Sequence, residues 1–381
     1  DTVQTGQRIG GAQAHVYAPV HASISGKVSA IKDWPHPVLG RCPAVVIESD
    51  GLDRRSSFVV RRSSEEISNL TPEQIRDIVF SAGIVGMGGA GFPTHIKLTP
   101  PKPVDTLIIN GAECEPYLAA DFRLMLEKTQ EILLGTALVE FCLGVQKVVI
   151  AIEDNKPQAI AAFRAVCDKR YAISVLKSAY PQGGEKQLIK NVTGREVPQG
   201  KLPFDVGVVV QNVATVYAIY EAVYLGKPLY ERVVTVTGSC FQRSRNLLAR
   251  VGTPIKDLIA FCGPLKEEPA KIIFGGPMMG IAQYSDDVPV IKTTNGVVLF
   301  NKKEARLGED EACIRCGACV RECPAGLMPC LINLAAEKEI WAQALAYNAM
   351  DCIECGLCNF VCPARRRLTQ SIKRAKMEAV K

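Results

Sequence analysis

Two cysteine runs near the C-terminus constrain this chain more than any other feature. Cys313, Cys316, Cys319 and Cys323 are followed by Pro324, and Cys352, Cys355, Cys358 and Cys362 by Pro363. Both read C-x2-C-x2-C-x3-C-P, the spacing that holds a cubane iron–sulfur cluster. Three thiolates on one tight loop can converge on three irons. The fourth lies too far along the chain and, where two clusters sit side by side, serves the neighbour. This spacing assigns Cys313, Cys316, Cys319 and Cys362 to one cluster, and Cys352, Cys355, Cys358 and Cys323 to the other. Shared ligation keeps the two close, and adjacent one-electron centres make a wire. Zinc sites more often show separated C-x2-C pairs, so a third cysteine and a C-P ending, repeated twice, fit zinc poorly. Disulfides need an oxidising compartment and have no reason to repeat this pattern.

The remaining seven of 15 cysteines, Cys42, Cys114, Cys142, Cys167, Cys240, Cys262 and Cys330, are odd in number and scattered. That remainder reads as reduced thiols rather than a secreted disulfide framework. A length of 381 residues allows two to four domains. No run of eighteen apolar residues occurs: the most apolar stretch, Glu131 to Ile152, is interrupted by Glu140, Gln146 and Lys147. No membrane span is expected. The formal charge of +6 falls to roughly +2 once eight thiolates and two cluster cores are counted, which gives no argument for nucleic acid. The chain opens at Asp1, without Met or a signal-like segment, and targeting is left open at this end.

Residues 1 to about 65 alternate short β-rich runs with Gly and Pro: Val16–Val20, Gly26–Ile31 and Ala44–Ile47. Ala18-Pro19-Val20 with Ser25-Gly26-Lys27-Val28 resembles the small sandwich of biotinyl and lipoyl domains. The hairpin carrying a modified lysine is not found, so Lys27 reads as a surface lysine. His15, His21 and His36 form no metal motif.

Thr71-Pro72-Glu73 opens a helix, with a Thr cap, Pro at the first position and an acid in the first turn. It leads into Gly83-Ile-Val-Gly86-Met-Gly88-Gly89-Ala-Gly91-Phe-Pro-Thr94. The G-x-G-x-x-G inside this loop lacks the strand before and the helix after that a dinucleotide fingerprint needs. Its glycines still allow positive φ and close approach of backbone amides to a phosphate or a flat ring. Beyond it, strands over 104–110, 147–152, 172–176 and 206–210 alternate with helices over 122–143, 157–168, 185–192 and 213–225. This is the pattern of a parallel sheet with helices on its faces. Ligands of such sheets bind beyond the carboxyl ends of the strands. The residues there, 110–115, 153–155, 178–185 and 211–215, are polar, acidic or glycine-containing, unlike the strands.

Arg232 to Gly238 starts a smaller unit, with strands at 233–237, 271–274 and within 288–300 around a helix at 254–261. That pattern is β-grasp-like. Met278 and Met279 read as core or interface residues. The cysteine region begins near Lys303. Its interval Leu331 to Met350 is Ala- and Leu-rich, which predicts one or two helices and a helical ferredoxin. The basic tail from Arg365 to Lys376 reads as a solvated helix face.

The loop Gly86–Thr94 with Lys97 resembles the flavin loop of the NADH-binding flavoprotein subunit of respiratory complex I. Asn110-Gly-Ala-Glu-Cys-Glu-Pro116, Gly183-Gly184-Glu185 and Gln211-Asn-Val-Ala-Thr215 resemble its next three flavin segments, in the same order and spacing. With the front sandwich and the two cysteine runs, nearly the whole chain is similar to the C subunits of Rnf ion-translocating ferredoxin:NAD oxidoreductase complexes. The complex I family carries Asp at Ala112, Ser at Cys114 and a pair of acids at Gly184-Glu185. The resemblance implies an α/β multidomain protein: a barrel-sandwich-like β domain (1–65), a Rossmann-like parallel α/β FMN/NADH-binding domain (66–230), a β-grasp (SLBB-like) domain (231–300) and a helical 2[4Fe-4S] ferredoxin domain (301–381). It implies non-covalent FMN. Gly86, Gly88, Gly89 and Lys97 would neutralise its phosphate, and Asn110, Glu113 and Glu115 would line its ribityl chain and ring. Asn212 and Thr215 would close the phosphate side, with Gly184 and Glu185 where NADH would enter. No acid–base dyad or nucleophile is implied. The implied setting is peripheral, on the cytoplasmic face of the inner membrane, beside other Rnf membrane subunits and exchanging electrons with a ferredoxin-like subunit. A soluble flavin and iron–sulfur reductase acting on a corrinoid, or a relay without a working flavin pocket, would carry the same parts.

Overall fold

The computed structural model describes residues 1–56, 61–167, 170–305 and 308–379. Its largest core lies in the α/β unit. Four strands, Ala172–Leu176, Lys147–Glu153, Thr106–Gly111 and Val208–Asn212, lie in that order and are all parallel. The two inner strands are buried on both faces, which is why they read as unbroken Val/Ile runs rather than alternating. Helices Pro72–Ser81, Thr129–Leu143 and Val213–Leu225 pack together on this core. A Cβ on Gly135 would stand 2.3 Å from the Val216 carbonyl, so only glycine lets these two helices approach so closely. The strand order reverses between Thr106–Gly111 and Val208–Asn212. The crevice beyond their carboxyl ends is therefore the switch point at which such sheets bind ligands.

Several expected boundaries move. The helix expected over 122–143 is two helices, Ala120–Glu127 and Thr129–Leu143. At the break the Thr129 hydroxyl donates to the Met125 carbonyl, a side-chain bond that competes with the backbone ladder. The helix expected to Asp168 ends at Val166, and Asp168 lies outside the described residues. Near the N-terminus, of 16–20 only Val20 is in a strand, paired through Val20–His21 with Arg8–Gly10. The long strands there are Gly26–His36 and Gly40–Ser49, an antiparallel hairpin. Lys27 sits exposed at its base, opposite Glu48, rather than at its tip.

The next unit is a five-stranded mixed sheet in the order Arg245–Arg250, Glu231–Thr237, Gly296–Phe300, Lys271–Phe274, Ile281–Ala282, with helix Ile255–Phe261 against it. Only Gly296–Phe300 of the expected 288–300 run is a strand. In the cysteine region helices Pro329–Glu337, Trp341–Ala346 and Leu368–Glu378 share one small core. In the tail Arg365, Arg367 and Arg374 are exposed, while the opposite face of the last helix packs into the core. Leu368, Thr369, Ile372 and Ala375 are buried, and Lys376 donates to the Cys352 carbonyl at 3.1 Å.

Candidate functional site

The glycine loop closes on itself: Gly86 N–H donates to the Phe92 carbonyl at 2.8 Å, and Gly91 N–H to the Gly86 carbonyl at 3.2 Å. It lies over the switch point because Met87 N–H donates to Thr215 Oγ1 at 2.9 Å, and Thr215 is buried on the helix leaving the fourth strand. A Cβ on Gly88 would meet the Asn212 side chain at 3.3 Å, while one on Gly89 (φ 137°) would face open space. Asn212 caps its helix through Oδ1, accepting from Ala214 and Thr215 N–H, and its Nδ2 donates to Asp121 at 2.7 Å. Asn110 donates to the Gly183 carbonyl at 3.0 Å and accepts from Ala112 N–H, so the ends of two crossovers are tied together. Gly183 is pinned by crowding: a Cβ there would stand 2.7 Å from the Ala112 carbonyl. Gly184 caps the helix that Glu185 opens.

Three acids of the expected site also have partners within the chain. Glu113 accepts from Asp121 N–H at 3.0 Å and Phe122 N–H at 3.2 Å, closing the start of helix Ala120–Glu127. Burial, with the Asp121 carboxylate beside it, pushes the Glu113 carboxyl up to about 7. Glu115 accepts from Met278 N–H at 3.1 Å and Met279 N–H at 2.7 Å, and so spans to the β-grasp unit. Glu185 is joined to Lys97 in an ion pair at 2.7 Å, so the two act together rather than at separate places, and Lys97 also donates to the Val210 carbonyl.

Other residues hold the site without any local sequence signal. Arg232, buried in the first β-grasp strand, donates to the Met87 carbonyl and to the Lys292 carbonyl. Lys292 in turn donates to the carbonyls of Pro19 and Gly83, and burial lowers its ammonium to about 8. The glycine loop is thus fastened by the β-grasp and sandwich units as well as by its own. Tyr180, on the segment before Gly183, donates its hydroxyl to the Cys355 carbonyl at 2.6 Å.

Cys323, Cys352, Cys355 and Cys358 line one cavity together with Pro324, Thr369 and Ile372. Leu327 N–H reaches the Cys323 sulfur and Glu354 N–H the Cys352 sulfur, each at 3.4 Å. Among the described residues no three His, Cys, Asp or Glu are grouped to hold a single metal ion, and no disulfide forms. Four thiols spread around a cavity, with amides aimed at the sulfurs, suit a cluster. Of the other set, Cys319 and Cys362 share an apolar group, and Cys313 and Cys316 are exposed. The flavin side passes a similar test. Thr94 Oγ1, where the glycine loop ends, and Gln211 Nε2, beside Asn212, are buried without a hydrogen-bond partner. These are polar groups near the switch point with no partner in the chain, and at Gly89 a Cβ would meet nothing within 4 Å.

Four family models match in chain order. They are the RnfC barrel sandwich hybrid domain over residues 1–52, the Nuo51 FMN-binding domain over 79–221, the SLBB domain over 233–282 and the 4Fe-4S dicluster domain over 312–365. NAD+-reducing [NiFe]-hydrogenase in its H2-reduced state contains a chain of similar fold, with a TM-score of 0.56 at 18% identity, covering 82% of this chain and 67% of that one. The C subunit of the Na(+)-translocating ferredoxin:NAD(+) oxidoreductase complex of Acetobacterium woodii is 45% identical over 100% of this chain and 86% of its own length. Its counterpart in the proton-translocating complex of Clostridium ljungdahlii is 46% identical over 99% of this chain and 83% of its own. With likeness at that level running end to end, the chain belongs to the family of C subunits of ion-translocating ferredoxin:NAD(+) oxidoreductase complexes.

Proposed function

We propose that this chain is the peripheral subunit that exchanges electrons between NAD(H) and one-electron carriers in a membrane-bound Rnf complex, using FMN and two [4Fe-4S] clusters. Bound FMN supplies a centre that takes up a hydride and releases electrons singly, and each cluster one that carries a single electron. Gly88 and Gly89 offer their amides in a loop with no carboxylate among its residues, suited to a phosphate, and Gly86 shapes that loop by giving its own N–H to the Phe92 carbonyl. Lys97 brings the cation, with Glu185 holding it in place until a ligand competes. Asn110, Gly184, Asn212 and Thr215 shape the crevice beneath. Glu113 and Glu115 line the ribityl chain and ring; Glu113 also closes a helix start and Glu115 also joins the flavin and β-grasp units. Cys352, Cys355, Cys358 and Cys323 hold one cluster and Cys313, Cys316, Cys319 and Cys362 the other. The division into domains at 1–65, 66–230, 231–300 and 301–381 belongs to the same reading.

One observation carries the direction of the wire within the molecule: the bond from Tyr180 to the backbone of Cys355. It supports reading the Cys323–Cys352–Cys355–Cys358 cluster as the one nearer the flavin unit, and the exposure of Cys313 and Cys316 supports reading the other as the one toward a partner. Among the described residues no helix is long and apolar enough to cross a membrane. We assign attachment to the other membrane subunits, on the cytoplasmic face, and electron exchange to a ferredoxin-like one. Anaerobic purification with iron, sulfide and FMN quantified, then titrated with NADH, tests the reading. About eight irons and one FMN per chain, with both flavin and cluster absorbance bleached, are expected. Zinc in place of iron, or no bleaching with FMN bound, would overturn it.

A further inference from the structure

The two cysteine runs fold as copies of one backbone. Arg315 and Glu354, each just before the second cysteine, take positive φ (57° and 58°), as do Gly317 and Gly356 just after it (72° and 76°). Gly326 and Arg365, three residues past each fourth cysteine, do so as well (65° and 53°). A helix then begins at Pro329 in the first copy and Leu368 in the second. The second residue of each helix, eleven positions after the third cysteine of its run, turns back to that cysteine. In the second copy this residue is Thr369, whose hydroxyl lies 3.4 Å from the Cys358 sulfur, both groups buried. In the first copy it is Cys330, which packs in the group around Cys319 and meets its sulfur with both its thiol and its backbone N–H, whereas the Thr369 N–H goes to Asn359.

Ligation settles the polarity of both bonds. A cysteine bound to iron is a thiolate with no proton to give, so Thr369 must donate through O–H and Cys330 through S–H. Donation to a ligand sulfur stabilises the more negative, reduced cluster and raises its potential. An O–H is the stronger donor of the two, since S–H is weak. We infer that the side chains at this symmetry-related position help set the two clusters apart in potential, the Thr369 hydroxyl raising the Cys323–Cys352–Cys355–Cys358 cluster more than the Cys330 thiol raises its neighbour. Thr369 and Cys330 are thus positioning residues for electron transfer that act through Cys358 and Cys319. Cys330 is also accounted for among the cysteines left outside the two motifs.

The inference rests on the two-cluster reading, and the test separates the two. Redox titration of the anaerobically purified full chain, followed by the electron-spin signals of both reduced clusters, gives two midpoints. Their presence, with iron content, checks the reading by itself. Thr369→Val keeps shape and removes the donor, so one midpoint falls and the other stays, and Thr369→Ser restores the first. Cys330→Thr installs the stronger donor in the other copy, so the second midpoint rises and the gap narrows. Iron content unchanged while Thr369→Val leaves both midpoints unmoved, or Thr369→Ser falling as far as Thr369→Val, would overturn the inference. Should Thr369→Val lose iron, Cys330→Thr decides: a raised midpoint supports the assignment and an unmoved one refutes it.

Discussion

The Tyr180 hydroxyl donates to the backbone carbonyl of Cys355 across 2.6 Å, joining a segment of the α/β unit to a cysteine of the second cluster loop. Burial pushes the Tyr180 phenol well above its ordinary range, so it remains a donor at any working pH. The same junction is crowded from the β-grasp side: a Cβ on Gly356 would stand 2.7 Å from the Met278 carbonyl, and Glu115 grips the amides of Met278 and Met279. Three units thus meet beside one cysteine.

Tyr180→Phe removes that bond while keeping the ring. A net loss of about 1 kcal/mol lowers the ratio of docked to undocked arrangement about fivefold. Stopped-flow mixing with NADH is expected to show flavin reduced at the normal rate and cluster bleaching slowed, with FMN and iron contents unchanged. Equal slowing of both phases would place Tyr180 elsewhere in the reaction.

Lys97→Ala takes away the cation beside the glycine loop and leaves Glu185 and the Val210 carbonyl unpaired. A charge-assisted bond worth about 1.5–3 kcal/mol corresponds to about 10- to 100-fold weaker FMN binding, read by titrating FMN fluorescence quenching. Cys355→Ala is its complement: cluster iron falls while FMN stays bound. Loss of both cofactors from either variant would argue against separate sites.

Glu113 makes stability depend on pH in a defined direction. Its carboxyl, ordinarily at 4.5, titrates near 7 in the folded chain. Between those values the folded state keeps a proton that the unfolded state releases. Its contribution is complete below about 4.5 and is lost as pH rises through about 7. Thermal unfolding midpoints measured at steps across this window should decline with rising pH. Glu113→Gln should flatten that slope, and an unchanged slope would remove Glu113 as its source.

Gly135→Ala tests the packing that carries the sheet's helices. Alanine gains about 1 kcal/mol of helix propensity, but its Cβ would lie 2.3 Å from the Val216 carbonyl, a backbone atom that cannot rotate away. Overpacking at a cost of about 1–3 kcal/mol outweighs the gain, so the denaturant midpoint should drop. A neutral or stabilised variant would show that the two helices can slide apart freely.

Much of this protein was legible along the chain. Cubane spacing, the glycine loop and the β–α alternation are patterns among neighbours, set by how far a loop reaches, where positive φ is needed and how side chains alternate. They placed the cysteines, the parallel sheet and the crevice at Asn110 and Asn212. What only the tertiary structure decided is which distant residues meet. Arg232 under Met87, Glu115 on the 276–280 loop, Tyr180 on Cys355 and Thr369 on Cys358 depend on which faces are buried together. The tail shows the difference most plainly. Its charges read as a solvated face, and Arg367 and Arg374 are exposed; where Leu368, Thr369 and Ile372 pack was decided by what stands opposite them. Local spacing can specify a ligand set, but only packing across units can say which cluster lies next to the flavin side.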